Sequence, residues 1–179
     1  MRRFAVALCV LALAACGGPE PLDTPLPQPS QRLELSSPDF EDSGELPAEV
    51  TCDGKGEPPA LQWGGLPQGT AELALVLVDL DAPAGVLAHW VTWGIGPERT
   101  RLEPGVGLPE AQDGETSFGR QGYEPPCPPE GDEAHRYVFA LYALSGALDL
   151  PEGAAPGTVL AQIGRLALAG GRLEGTYRR

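Results

Sequence analysis

Five residues have the types and spacing to act together: Asp79, Asp81, His89, His135 and Tyr137. The chain has only two histidines, and each opens a strand-like run after a loop, so each is expected at a strand mouth. Residues two apart on a strand share a face, which groups Asp79 with Asp81 and His135 with Tyr137. Imidazole N–H groups and a phenol hydroxyl can donate hydrogen bonds to the oxygens of an anion. An aspartate cannot attract an anion directly. Its expected role is to accept a hydrogen bond from a histidine, which fixes the tautomer and favours the imidazolium. Buried without such a partner, it would instead be protonated and donate.

Each of these residues also fits a structural role, with Asp79 as a loop cap and each histidine as a satisfied strand-edge residue. The same set could by type serve general acid–base work or hold a metal. Against these stand the lack of a G-x-S-x-G nucleophile motif, of a helix-spaced ligand pair and of any C-x-x-C spacing. The expectation is therefore a binding site with no catalytic residue, no metal and no cofactor.

Three apolar runs must position this set. Leu73 to Val78 is continuous, as in a strand buried on both faces. His89 to Ile95 and Arg136 to Leu144 are rich in β-branched and aromatic residues and read as two more strands. Arg32 to Ser36 alternates and suggests a first strand, and Arg172 to Tyr177 a closing one. Pro156 to Ala169 is the helix candidate, with Leu160, Ile163, Leu166 and Leu168 as its apolar stripe. Residues 37–62 and 96–135 read as loops. The fold class is mainly β with one late helix.

The N-terminus reads as an export signal. Arg2 and Arg3 precede twelve apolar or small residues, Phe4 to Ala15. That is too short for a spanning helix, which needs about 20, and suits a signal-peptide hydrophobic region. Leu13-Ala14-Ala15-Cys16 resembles a bacterial lipobox, so residues 1–15 are expected to be removed and Cys16 lipidated, holding the protein on the extracytoplasmic side of an envelope membrane. Gly17 to Gln31 contains five prolines and no aromatic residue. It is expected to be an extended tether, leaving a domain at 32–179.

The chain carries a formal net charge of −13, with 25 acidic and 12 basic residues. Such a surface repels nucleic acid. Once Cys9 leaves with the signal and Cys16 is lipidated, Cys52 and Cys127 remain, in a compartment where disulfides persist. A Cys52–Cys127 bond is the expectation, with two separate buried thiols as the alternative.

Asp79-Leu80-Asp81-Ala82-Pro83, His89-Trp90-Val91, Gly122-Tyr123 with Pro126-Cys127-Pro128-Pro129 and Gly131, and His135 to Leu144 together resemble the signature of the phosphatidylethanolamine-binding protein family. Thr51-Cys52-Asp53-Gly54 and Pro58 to Trp63 resemble its bacterial Raf kinase inhibitor-like (YbhB/YbcL-type) branch. The resemblance covers about residues 32–177. It implies a large central antiparallel sheet packed on a smaller sheet, with a C-terminal helix. It also implies a pocket for a small anion, such as phosphate, a carboxylate or a phospho-headgroup. Its ligand residues would be Asp79, His89, His135 and Tyr137, with Asp81, Ala82 and Pro83 shaping the wall and Cys127 in the loop beside it. In exported members the segments around Cys52 and Cys127 lie close together.

The chain departs from the family pattern at Leu80, at Gly94 and at Pro125-Pro126. Pro125 has no N–H to offer a ligand. The resemblance thus implies an anion- or headgroup-binding lipoprotein. The alternative is an inhibitor or regulatory partner of an envelope protein such as a protease.

Overall fold

The computed structural model describes residues 18–179. The expected signal peptide and Cys16 lie outside the described residues. The elements in chain order are β1 (Gln31–Arg32), β2 (Glu34–Ser36), β3 (Gly44–Glu45), a 3₁₀ turn (Ala48–Val50), β4 (Leu61–Gly64), β5 (Glu72–Asp79), β6 (Leu87–Ile95), β7 (Arg101–Leu102), β8 (Gln112–Asp113), β9 (His135–Leu144), α1 (Pro156–Leu166) and β10 (Ala167–Tyr177).

The large sheet has the order β1-β10-β9-β5-β6-β8, with β3 also on β10; the small sheet is β2-β4-β7. The β10-β9-β5-β6-β8 body is antiparallel, as expected, but β1 and β3 join β10 in parallel, so the sheet is mixed.

Every residue of β5 is buried, because its two faces pack against different layers. Leu73, Leu75 and Leu77 meet Leu61 and Trp63 of the small sheet, with Phe139 and Leu141 of β9. Ala74, Val76 and Val78 face the other way, in the layer formed with Val159, Leu160 and Ile163 of α1. This explains why the run is continuous rather than alternating. The helix ends at Leu166, three residues before the sequence suggests, and the chain passes directly into β10.

The tether expectation for residues 17–31 fails over the described part. Glu20 N–H donates to the Ser117 carbonyl and Leu22 N–H to the Val86 carbonyl, each at 2.8 Å. The Tyr142 hydroxyl donates to the Pro27 carbonyl at 3.2 Å. Leu22 and Leu26 pack against the helix-side core. Extended proline-rich chain has no internal hydrogen bonds, so its remaining N–H and C=O groups are free to pair with a neighbouring surface. Two leucines supply the burial. The domain boundary therefore lies before residue 32.

Gly170 and Gly171 make room for this segment. A Cβ on Gly170 would stand 3.0 Å from Pro29 Cγ, and one on Gly171 would stand 3.1 Å from the Leu33 carbonyl oxygen.

Candidate functional site

Asp79 is the last residue of β5 and pairs in register with Tyr137 of β9. Tyr137 follows His135 by two, so both present to the face that Asp79 occupies. His89 reaches that face by a different route. In the β5–β6 ladder Leu77 pairs with Trp90 but Val78 with Ala88, so His89 is the extra residue of a β-bulge. Val91 belongs to the helix-side core, and simple alternation would have put His89 there too. The bulge re-aims it, and its ring meets Tyr137 edge-on with centroids 5.5 Å apart.

The group is almost dry. Asp79 is 3%, His89 3%, His135 4% and Tyr137 0% exposed. His135 Nδ1 lies 2.8 Å from Asp79 Oδ2. Asp79 Oδ1 accepts the backbone N–H of Asp81 at 2.9 Å. With Nδ1–H donating to the carboxylate, His135 Nε2 is left as the ring atom for a ligand; its nearest carboxylate is Asp132, at 3.7 Å.

His89 Nδ1 lies 3.0 Å from the Glu124 carbonyl oxygen and donates to it, which leaves Nε2 free. Burial pulls the His89 pKa below that of a free imidazole, and its contacts with the Glu124 carbonyl and with Asp79 oppose the shift only in part. Burial, helped by the Asp79 carboxylate, pushes the Tyr137 pKa up. The phenol is therefore a neutral donor, and its hydroxyl is buried with no hydrogen-bond partner. An orphaned donor of this kind is destabilising. Tyr137→Phe is expected to leave stability unchanged or raise it by about 1 kcal/mol while weakening anion binding. Denaturant melts paired with phosphate titrations check both halves.

Asp79, His89 and His135 line a cavity of about 280 Å³, whose wall also includes Ala82, Pro83, Phe118 and Cys127; Tyr137 is not in this wall but packs against both histidine rings. Asp81 does not take part as the sequence suggests. The strand ends at Asp79, so the two-residue alternation no longer applies. The Asp81 carboxylate instead takes Arg136 Nη2 at 2.7 Å and Nε at 2.8 Å, and this guanidinium holds the Asp81 pKa below the usual range.

Sequence reasoning missed three contributors: the Glu124 carbonyl, Phe118, which packs edge-on to His89 at 5.0 Å, and Pro19 at the mouth. The first acts through its backbone and has no side-chain signal. The other two lie in segments with no strand or helix pattern.

Cys52 and Cys127 are joined, with Cα atoms 5.4 Å apart. Cys52 N–H also donates to the Pro126 carbonyl at 3.1 Å, so the loop beside the cavity is tied down twice. Among the described residues, no cluster of three or more His, Cys, Asp or Glu side chains could hold a metal ion.

Comparison with known proteins follows the same lines. The family described as phosphatidylethanolamine-binding protein matches residues 36–178. A UPF0098 protein of Methanothermobacter thermautotrophicus is 42% identical over 82% of this chain and 99% of its own length. LppC of Mycobacterium tuberculosis, provisionally named a lipoprotein, is 37% identical over 94% of this chain and 90% of its own. Among solved structures, a Chlamydia trachomatis protein described as a homologue of phosphatidylethanolamine-binding protein superposes with a TM-score of 0.78 at 32% identity. It covers 84% of this chain and 99% of its own. Escherichia coli YbcL, described as a member of the mammalian family, gives 0.78 at 25% identity, covering 83% of this chain and 99% of its own.

Proposed function

We propose, for a chain that belongs to the phosphatidylethanolamine-binding protein family, that it is a lipid-anchored envelope protein whose pocket binds a small anion or phospho-headgroup. The observation that carries the binding half is a cavity walled by His89 and His135, each with Nδ1 engaged and Nε2 unused, beside the buried, partnerless Tyr137 hydroxyl. With each Nδ1–H already donated, Nε2 can donate to an anion oxygen only when the ring is protonated, so the anion would be held by imidazolium groups. Asp79 also lines the cavity, with both of its oxygens already accepting hydrogen bonds, one from His135 and the other from the Asp81 N–H. A binder rather than a catalyst is favoured by the cavity wall, which contains no serine or threonine and whose one cysteine sulfur is in the disulfide. The anchoring half is supported by Leu13-Ala14-Ala15-Cys16 and by the lipoprotein name of LppC.

Calorimetric titration with inorganic phosphate tests the binding. His89→Ala and His135→Ala are each expected to weaken it at least tenfold, with a folded domain by circular dichroism. Heat-silent titrations of the wild type across the accessible concentration range would remove the proposal.

Binding should also depend on pH. His89 is neutral when the pocket is empty because burial lowers its pKa. Its Nε2 must gain a proton to donate to an anion, and the anion in turn raises the pKa of the occupied state. Affinity is thus expected to rise as pH falls through the raised pKa of the occupied site and to level off below the depressed pKa of the empty one. Folding responds with the opposite sign. The unfolded chain binds this proton more readily, so the stability due to His89 is complete above about 6.5 and is lost as pH falls toward the folded-state pKa. A phosphate affinity that is flat between pH 5 and 8 would count against His89 as a ligand.

A further inference from the structure

We propose that residues 19–32 form a strap that holds the mouth of the pocket against the bilayer, so that the pocket draws its ligand from the membrane surface. The inference rests on the reading of Cys16 as the lipidated residue, and adds a direction to it.

The strap is attached along its length. Glu20 and Leu22 donate backbone hydrogen bonds to Ser117 and Val86, Tyr142 holds Pro27, and Gln31 and Arg32 pair with Ala169 and Gly170 of β10. Its free end lies at Pro19, which lines the same cavity as Asp79, His89 and His135. Only three residue steps separate Pro19 from Cys16. An extended chain covers at most about 3.6 Å per residue, so the lipidated residue lies within roughly 11 Å of the mouth. Each headgroup layer is itself roughly 5–8 Å thick. A domain fixed at this point cannot turn its pocket far from the membrane.

The rim suits that position. Pro19, Pro83, Ala84 and Pro129 are exposed at the mouth, small apolar groups that sit at headgroup level without a counter-charge. Two nearby carboxylates are engaged with arginines, Glu124 with Arg120 and Glu130 with Arg179, while Glu20 is exposed. A face with these charges fits a zwitterionic surface better than an anionic one.

The full lipidated protein in phosphatidylcholine vesicles containing nitroxide-labelled lipid provides the test. A fluorophore is placed on Ala84→Cys at the rim, or on Gln68→Cys. Gln68 is exposed and precedes β5, at the end of that strand opposite Asp79. Both substitutions are at exposed positions, and the native pair is already bonded, so labelling is selective. Quenching at position 84 is expected to exceed that at 68 several-fold. A Gly/Ser spacer of about twenty residues inserted after Gly17, with an r.m.s. reach of about 25 Å, should erase the difference. Equal quenching at the two sites, or a difference that survives the spacer, overturns the strap proposal alone. Absence of lipid on Cys16, read from the mass of the N-terminal peptide, overturns it together with the anchoring reading.

Discussion

Asp79→Ala is expected to abolish measurable phosphate binding and to lower stability by about 2–4 kcal/mol, the cost of leaving the buried His135 N–H and the part-buried Asp81 N–H without their acceptor. Asp79 carries two jobs at one position. Its Oδ2 takes the His135 Nδ1–H at 2.8 Å, and its Oδ1 takes the Asp81 N–H at 2.9 Å. Alanine leaves the His135 N–H unpaired where almost no water reaches, removes the acceptor of the Asp81 N–H, and frees the His135 ring to choose either tautomer. Asp79→Asn separates the two jobs. Its amide oxygen can still accept one of these hydrogen bonds, but its NH₂ cannot accept the other. It should therefore cost less than alanine in stability and nearly as much in affinity. Urea melts and calorimetry on the two variants check this. If both stay within 0.5 kcal/mol of the parent, or if alanine retains full affinity, then Asp79 is not the residue that orients His135.

Removing the disulfide should have an effect of similar size on stability. The bond joins residues 75 apart in sequence, and the chain-entropy account gives about 4 kcal/mol for closing a loop of that size. For a domain of this length that is a fall in Tm of about 8–16 °C. Cys52→Ala/Cys127→Ala is the direct test, and reduction of the parent protein should reproduce its melting temperature. The effect should extend to binding. The bond holds the loop that supplies the Glu124 carbonyl to His89 and that puts Cys127 in the cavity wall. Affinity for phosphate is therefore expected to fall several-fold in the double variant even at temperatures where it is folded. Two free, alkylatable thiols in protein taken from the envelope would refute the bond itself, and an unchanged Tm would refute its structural role.

The sequence made the centre of the fold legible because β5, β6, β9 and α1 are each long enough to show a period. Only their ends moved, as with α1, which stops at Leu166 where the chain turns extended and Ala167 pairs with Leu144 of β9. Strands β7 and β8 have two residues each and carry no pattern. The site was legible in its side chains: Asp79, His89, His135 and Tyr137 do converge. Residue types alone could not show how they converge. The bulge at His89 is a matter of register, and Asp81 leaves the group because the strand stops two residues earlier. The strap was misread for a reason that applies more widely. Proline content predicts an extended chain correctly, but says nothing about whether a surface lies within reach of its unpaired backbone groups.

The parallel pairing of β1 and β3 on β10 has a consequence for the proposed lipid anchoring. A long outermost strand offers a row of free N–H and C=O groups to any identical neighbour. Here β10 is eleven residues long, and short segments at both of its ends occupy that row, while the opposite margin of the sheet finishes in the two-residue β8. Molecules confined to a surface meet one another at far higher effective concentration than the same number free in solution. Covering these margins would let many copies of a lipid-anchored chain crowd on one leaflet without zipping edge to edge, with Gln31 and Arg32 at the end of the proline-rich segment blocking part of the row.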